Sequence, residues 1–306
     1  MTTPALELRD VTKSFGPKTC LSGLSLVVEQ GSVYGFLGCN GAGKTTTIRI
    51  VLGLLVPDSG EVRVYGHDTR TEPSVVRAKT GVLLDHDGHY ERLTALHNLE
   101  LHAALRDLGE QGRTRFEELL RACDLWDRRH ERVAKFSKGM RQKLAIARAL
   151  LHRPALVLLD EPFTGLDPTA VIELRENIRR LARDAGTAFL LTTHDLHHVE
   201  KICDHVSILE GGHVVASGAP DELATREAGV EEAYVSGEGL TDALLAEIAA
   251  GEAVLACERR GAGAVVRCTP EQRKELGRLL VMRGVRLVEL STRRATLEEK
   301  FVELVS

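Results

Sequence analysis

The sequence has no excess of either charge, no long apolar run and no paired cysteines, and each lack removes a class of function. Its 306 residues carry 40 Lys+Arg against 44 Asp+Glu, a formal net charge of −4. So small a balance supplies neither the basic footprint of a nucleic-acid binder nor a general attraction to anionic lipid. No uncharged apolar stretch approaches the roughly 20 residues that cross a bilayer, and Met1-Thr2-Thr3-Pro4 lacks the charged-then-apolar pattern of a secretory leader. The cysteines, Cys20, Cys39, Cys123, Cys203, Cys257 and Cys268, lie far apart with no C-x-x-C pair, which argues against a zinc site or redox motif and for reduced thiols. No repeat of fixed period and no low-complexity tract is present. A cytosolic globular protein is expected, its 43% hydrophobic content filling one large domain or two modest ones.

What is there is an α/β alternation. Up to about residue 220, β-rich runs are expected at Leu6–Arg9, Leu24–Glu29, Val33–Leu37, Val62–Tyr65, Gly81–Leu84, Leu156–Leu159, Ala188–Thr192, Val206–Leu209 and Val214–Ala216, separated by helical stretches. Between the fifth and sixth, about Ala95 to His152, apolar residues fall at helical spacing (Leu96, Leu99, Ala103, Leu105, Leu108; Phe116, Leu119, Leu120, Cys123) and predict a helical subdomain. Gly211-Gly212 marks a hairpin, and Pro220-Asp221-Glu222 opens a helix near a domain boundary, which divides the chain into 1–225 and 230–306. Beyond it the order is strand (Glu232–Val235), helix (Thr241–Ala250), two strands (Ala253–Cys257, Ala264–Cys268), helix (Pro270–Arg283) and strand (Val285–Leu290). That order predicts a small α+β ferredoxin-like module, finished by a helix at Leu297–Leu304.

Four segments carry chemistry. Gly38-Cys39-Asn40-Gly41-Ala42-Gly43-Lys44-Thr45 fits G-x-x-x-x-G-K-[ST], follows the apolar run Val33–Leu37 and leads into a helical stretch Thr46–Leu55. In that setting glycines let backbone N–H groups and a helix N-terminus face phosphate, Lys44 reaches the β- and γ-phosphates, and the Thr45 hydroxyl is placed for Mg²⁺. Second, Leu156–Leu159 delivers Asp160 and Glu161 to the carboxyl end of a strand, where ligands of α/β sheets bind. Asp160 is expected to hold Mg²⁺, and Glu161 to polarise a water against the γ-phosphate. Third, Thr187–Thr193 ends at His194, whose imidazole can hydrogen-bond the γ-phosphate. Fourth, Phe136-Ser137-Lys138-Gly139-Met140-Arg141-Gln142 precedes an expected helix at Leu144–Leu151, and its Ser137 and Gly139 offer a second anion site.

Together and in this order, these segments resemble the ATP-binding subunit of ABC transporters over about residues 5–220, a P-loop NTPase nucleotide-binding domain with a helical subdomain. The segments are GCNGAGKTT (38–46, ending in Thr46) for the phosphate loop, FSKGMRQ (136–142) for the signature, LVLLDEP (156–162) for the Walker B strand, GLD (165–167) and TTHD (192–195). The resemblance implies ATP and Mg²⁺ as ligands and Phe15 as the aromatic on which adenine stacks. It implies a head-to-tail homodimer, or a pair with another nucleotide-binding subunit, in which Ser137 and Gly139 of one copy complete the site of the other and Asp167 lies at the seam.

The signature departs from L-S-G-G-Q at Lys138 and Met140, and Cys39 stands where proline is common. Asp85, or Asp87 at an offset of two, replaces the glutamine expected after Gly81–Leu84, and its carboxylate makes it a candidate Mg²⁺ contact. The S-K-G-M form and Tyr90-Glu91-Arg92-Leu93-Thr94 resemble the drug and peptide-antibiotic exporter branch (ABC-2 type). Its permease is a separate chain, and its C-terminal extension ends in a motif like Leu297-Glu298-Glu299-Lys300-Phe301. The resemblance therefore implies a subunit peripheral on the inner face of the cell membrane. A soluble ABC ATPase acting on nucleic acid or ribosomes shares the phosphate chemistry. Such proteins carry long coiled coils, zinc cysteines or two cassettes, none of which is seen here, and no nucleic-acid partner is expected.

Overall fold

Three runs buried at every position, Val33–Gly38, Leu156–Asp160 and Ala188–Thr193, lie side by side at the centre of the computed structural model. Burial along the whole run is the mark of a parallel sheet covered on both faces. The structure describes residues 3–84, 88–224, 231–250 and 254–293, which form two compact units, Met1–Ala219 and Pro220–Ser306.

In the first unit the six-stranded sheet runs in the order His213–Gly218, His205–Glu210, Val33–Gly38, Ala188–Thr193, Leu156–Asp160, Thr80–Leu83. Only the outermost pair, the Gly211-Gly212 hairpin, is antiparallel. The three central strands therefore end at one edge and deliver Gly38, Asp160 and Thr193 to it. An antiparallel sheet, ordered Lys18–Val28, Leu6–Phe15, Ser59–Val64, His67–Asp68, shares a core with it through Leu6, Leu24, Phe36 and Ile48. The two N-terminal strands outrun the expected Leu6–Arg9 and Leu24–Glu29 because pairing persists through irregular register to Phe15↔Lys18. Their polar residues hid that length. The two-residue strand at His67–Asp68 was not legible at all.

The insertion folds as three helices, Ala95–Leu105, Gly109–Ala122 and Lys138–Ala149, around a core of its own built from Leu99, Phe116, Leu120 and Leu144. The last of these begins at Lys138, earlier than the expected Leu144, because the Ser137 hydroxyl accepts the Met140 N–H and caps it there. The helix after the phosphate loop spans Lys44–Val51 instead of Thr46–Leu55, its start set by the left-handed Gly43 and its end by a turn at Leu52–Gly53.

The second unit runs strand Glu231–Glu238, helix Asp242–Ala250, strands Ala256–Arg260 and Gly263–Cys268, helix Pro270–Met282, strand Arg286–Arg293. Its sheet is antiparallel throughout, the chain-order second, third, first and fourth strands lying side by side over Ala233, Val235, Val266, Leu276 and Leu280. The hairpin strand spans Ala256–Arg260, its ladder set from the turn, Arg260↔Gly263 to Ala256↔Arg267, and its expected start at Ala253 lies outside the described residues. The expected helix Leu297–Leu304 lies outside the described residues, as does Leu297–Phe301.

Candidate nucleotide site

Close packing forces glycine at two points of the phosphate loop, and at Gly43 the backbone conformation does so as well. Gly43 sits at φ 115°, and a Cβ there would lie 2.5 Å from Leu21 Cδ2 and 2.9 Å from the Cys20 carbonyl oxygen. A Cβ on Gly38 would lie 2.5 Å from the Leu209 carbonyl oxygen. The loop is thus wedged against the neighbouring strands, and Asn40 and Gly41 at its outer turn remain exposed. Lys44 is buried and donates from Nζ to the carbonyl oxygens of Gly38 at 2.6 Å and Cys39 at 3.3 Å, so its ammonium is held inside the turn. Thr46 reaches the other sheet, its hydroxyl 3.3 Å from Cys20 Sγ.

Thr45 and Asp160 meet. The threonine hydroxyl donates to Asp160 Oδ2 at 3.0 Å, and the Thr192 hydroxyl donates to Asp160 Oδ1. Asp160 is 3% exposed, and these two donors offset the cost of burying its carboxylate. Directly after it the chain turns into the left-handed region at Glu161 (φ 49°), a conformation costly for a residue with a side chain and found at sites where the structure over-determines it. Glu161 N–H donates to the Thr192 carbonyl at 3.0 Å, and its Oε1 lies 2.9 Å from His194 Nδ1. The strand Ala188–Thr193 thereby ties Asp160, Glu161 and His194 into one cluster facing the phosphate loop through Thr45.

The signature segment reaches this cluster through Gln142, whose Nε2 donates to the Pro162 carbonyl at 3.0 Å. Ser137 is occupied as a helix cap, and Gly139 packs on the loop before Asp167, where a Cβ would lie 3.2 Å from the Gly165 carbonyl. Asp167 caps the helix Pro168–Ala185, accepting from Ala170 N–H at 3.0 Å and Thr169 N–H at 3.1 Å. The Ala170 N–H above all, with that of Thr169, holds its carboxyl below the usual carboxylate range. Phe15 is 49% exposed at the end of its strand, with Lys13 Nζ 5.6 Å from its ring centre. Phe15, Ser137, Gly139 and Asp167 stand apart from the hydrogen-bonded cluster, and Asp85 and Asp87 lie outside the described residues. Sequence reasoning did not assign Thr192 or Gln142, whose roles are to position a carboxylate and a backbone turn. The only signals were Thr192's place in TTHD and Gln142's place in FSKGMRQ.

A strand ending in a glycine-wedged loop, a lysine folded into it and a Thr–Asp pair below it form a site for a nucleotide triphosphate. The family model "ABC transporter" matches residues 21–164. The daunorubicin resistance ATP-binding protein DrrA3 of Streptomyces coeruleorubidus is 37% identical over 306 residues, which cover 99% of this chain and 96% of the relative. The chain belongs to the ABC transporter ATP-binding proteins. Another member, the bacitracin transport ATP-binding protein BcrA of Bacillus licheniformis, is 33% identical over 308 residues, covering 98% of this chain and 97% of BcrA. The dimeric structure of a bacterial ABC transporter cassette superposes with a TM-score of 0.65 at 26% identity, over 70% of this chain and 98% of that one. The first unit is accordingly an ABC cassette, and the protein is an ABC-type, ATP-binding ATPase. Among the described residues no helix is long and apolar enough to cross a membrane.

Proposed function

We propose that two copies of this ATPase close head to tail on MgATP, reopen on hydrolysis, and drive a separate membrane permease. The permease is an ABC-2 type exporter of drugs, antibiotics or other amphipathic substrates, and it holds the ATPase at the inner face of the membrane. Similarity over nearly the whole length to proteins named for daunorubicin resistance and bacitracin transport supports export. The observation that carries hydrolysis is Glu161 Oε1 at 2.9 Å from His194 Nδ1, beside the Thr45–Asp160 pair.

In this reading Glu161 accepts the proton of the attacking water, and His194 orients Glu161 and contacts the γ-phosphate. Lys44 exchanges its two carbonyl partners for phosphate oxygens, and the N–H groups of Gly41, Gly43, Lys44, Thr45 and Thr46 line the loop around them, with Gly38 and Asn40 shaping it. Phe15 supplies a stacking face for adenine. Ser137 and Gly139 of the opposite copy close the site, with Asp167 at the seam. Thr45 and Asp160 are hard oxygen donors 3.0 Å apart, a fit for Mg²⁺. No group of three or more His, Cys, Asp or Glu stands ready for a metal among the described residues, so phosphate oxygens would complete its shell. Held by Thr45 and Asp160, Mg²⁺ would offset the charge on the β- and γ-phosphates. Asp85 is assigned to that shell as well. Asp85→Ala should raise the Mg²⁺ concentration for half-maximal ATPase and Asp87→Ala should not.

For the C-terminal part, residues 230–306 after a cassette of 1–225, the strand order and fully antiparallel pairing support a ferredoxin-like module. We assign it to dimerisation or regulation. The deciding experiment is Glu161→Gln, which keeps shape and removes the base. Gel filtration with MgATP should show an accumulated dimer without turnover. A variant that stays monomeric and hydrolyses ATP at the parental rate would overturn the assignment.

A further inference from the structure

The strand Leu6–Phe15 is held less firmly at its end than at its start. Against Lys18–Val28 its register shifts between Leu8 and Val11, between Val11 and Lys13, and between Lys13 and Ser14, and the last pair is Phe15↔Lys18. Against Ser59–Val64, on the other side, pairing stops at Thr12↔Ser59. Lys13, Ser14 and Phe15 therefore lie beyond one ladder and on an irregular stretch of the other. Such strand ends open most readily. An aromatic face that must first be ordered also binds more weakly than one already fixed.

One side chain takes over where the ladder stops. Asp58, just before Ser59, is anchored by its own N–H on the Thr12 carbonyl at 2.8 Å. Its Oδ1 accepts from the Lys13 ammonium at 2.7 Å, and its Oδ2 accepts from the Ser14 N–H at 2.7 Å, in the place of a further strand partner. The Lys13 hydrogen bond above all, with that from Ser14, holds the Asp58 carboxyl below the usual carboxylate range, so the clamp is charged at neutral pH. Lys13 Nζ, pinned in this way, lies 5.6 Å from the centre of the Phe15 ring and faces it as a cation. Asp58 is also tied to the phosphate side of the site. The chain reaches it from the phosphate-loop helix Lys44–Val51 through the turn at Leu52–Gly53. Its carboxylate thus joins the segment that carries Phe15 to the one that leaves the phosphate loop.

We infer that Asp58 is a positioning residue for the nucleotide base: by holding Lys13 and Ser14 it keeps the Phe15 ring in place to receive adenine. The inference rests on the reading of Phe15 as the stacking face. Asp58 acts through Phe15, so it should strengthen the hold on the base and leave the hold on the phosphates as it is. Its effect should be smaller than that of the ring itself. Stacking of a base on an aromatic side chain is worth about fivefold to about a hundredfold in affinity. An exposed ion pair and an exposed cation facing a ring are worth about twofold to about fivefold.

The test is calorimetry of the full chain with MgATP and with magnesium tripolyphosphate, which offers the phosphates without base or sugar. Asp58→Ala should weaken ATP by about twofold to about fivefold and leave tripolyphosphate at the parental affinity. Phe15→Ala should weaken ATP further, again without effect on tripolyphosphate. In the Phe15→Ala background, adding Asp58→Ala should change nothing, because the ring through which it acts is gone. Parental ATP affinity in Phe15→Ala would remove the stacking face and the inference with it. A loss in Phe15→Ala beside parental ATP affinity in Asp58→Ala would overturn the inference and leave the stacking face standing. So would an equal loss of tripolyphosphate in Asp58→Ala, or an undiminished effect of Asp58→Ala when Phe15 is absent. Should tripolyphosphate bind too weakly to measure, the paired variants with ATP decide alone. Should Asp58→Ala not fold, Lys13→Met takes its place in the same comparison, with the same outcomes.

Discussion

Thr45 and Asp160, 115 residues apart in the chain, are joined by a 3.0 Å hydrogen bond that fixes the phosphate loop to the central strand. Asp160's other oxygen is held by the Thr192 hydroxyl, so two threonines from two elements clamp one buried carboxylate. Thr192→Val keeps the shape and removes one donor. It should cost about 1.5–3 kcal/mol in urea unfolding, the value of a hydrogen bond to a charged group. It should also raise the Mg²⁺ concentration needed for half-maximal ATPase, since Asp160 is then free to turn away. An unchanged Mg²⁺ dependence would show that Thr192 does not position the carboxylate for metal.

Among the described residues Lys44 has no carboxylate partner, and it rests on two backbone carbonyls. Its charge is therefore available to phosphate without breaking an ion pair. Lys44→Ala should cost about 2–3 kcal/mol of ATP binding, or about 30- to 150-fold in affinity. Calorimetry with ATP measures it, and an unaltered Kd would remove Lys44 from the phosphate site.

Gly43 is the hinge of that turn, at φ 115° with Leu21 and Cys20 against its missing side chain. Gly43→Ala meets both a strained dihedral and a clash, each of which costs on the order of 1–3 kcal/mol. The loop should shift, so ATP affinity should fall more than global stability does. Comparable losses in both, from paired calorimetry and urea unfolding, would mean that the glycine serves folding alone.

The elements that could be read from sequence are those in which one local rule dominates. Val33–Gly38, Leu156–Asp160 and Ala188–Thr193 are apolar throughout, because both faces of the sheet are covered, and their ends carry the residues of the cluster. What escaped depends on partners distant in the chain. The strand through Asp10 to Phe15 is polar and survives by pairing with Lys18–Leu24, and the helix start at Lys138 rests on a single cap at Ser137. Thr192 and Gln142 act on a carboxylate and a carbonyl brought near only by the fold, and neither has a residue type that announces such a role. The clamp on Asp160 is a property of three-dimensional register, Asp160↔Thr192, which no spacing in the sequence expresses.

His102 gives the chain an acid limit whose sign follows from its burial. On the helix Ala95–Leu105, its Nε2 is buried without a hydrogen-bond partner, and desolvation, aided by the positive charge of Arg148, His89 and Arg106, lowers its pKa to about 4. His152 is likewise pulled to about 4, by desolvation first and then by Arg106. Both are neutral in the folded state and regain an ordinary value near 6.5 when unfolded. The unfolded chain thus binds more protons between those values. The stability that neutral imidazoles allow is present in full above about pH 6.5 and is lost as pH falls toward 4. Carboxylates held below their usual range, such as Asp58, Asp68 and Asp167, lose their contribution only further down, near and below pH 4. The interval from pH 6.5 to 5 therefore isolates the histidines. Urea midpoints measured across it should fall steadily for the parent. They should fall less steeply for His102→Leu, which places an apolar side chain in the same half-buried site and leaves His152 and His198, the latter also lowered by desolvation, to respond. Parallel curves for the two proteins would show that His102 is protonated without cost in the fold, and that its burial is not the source of the acid sensitivity.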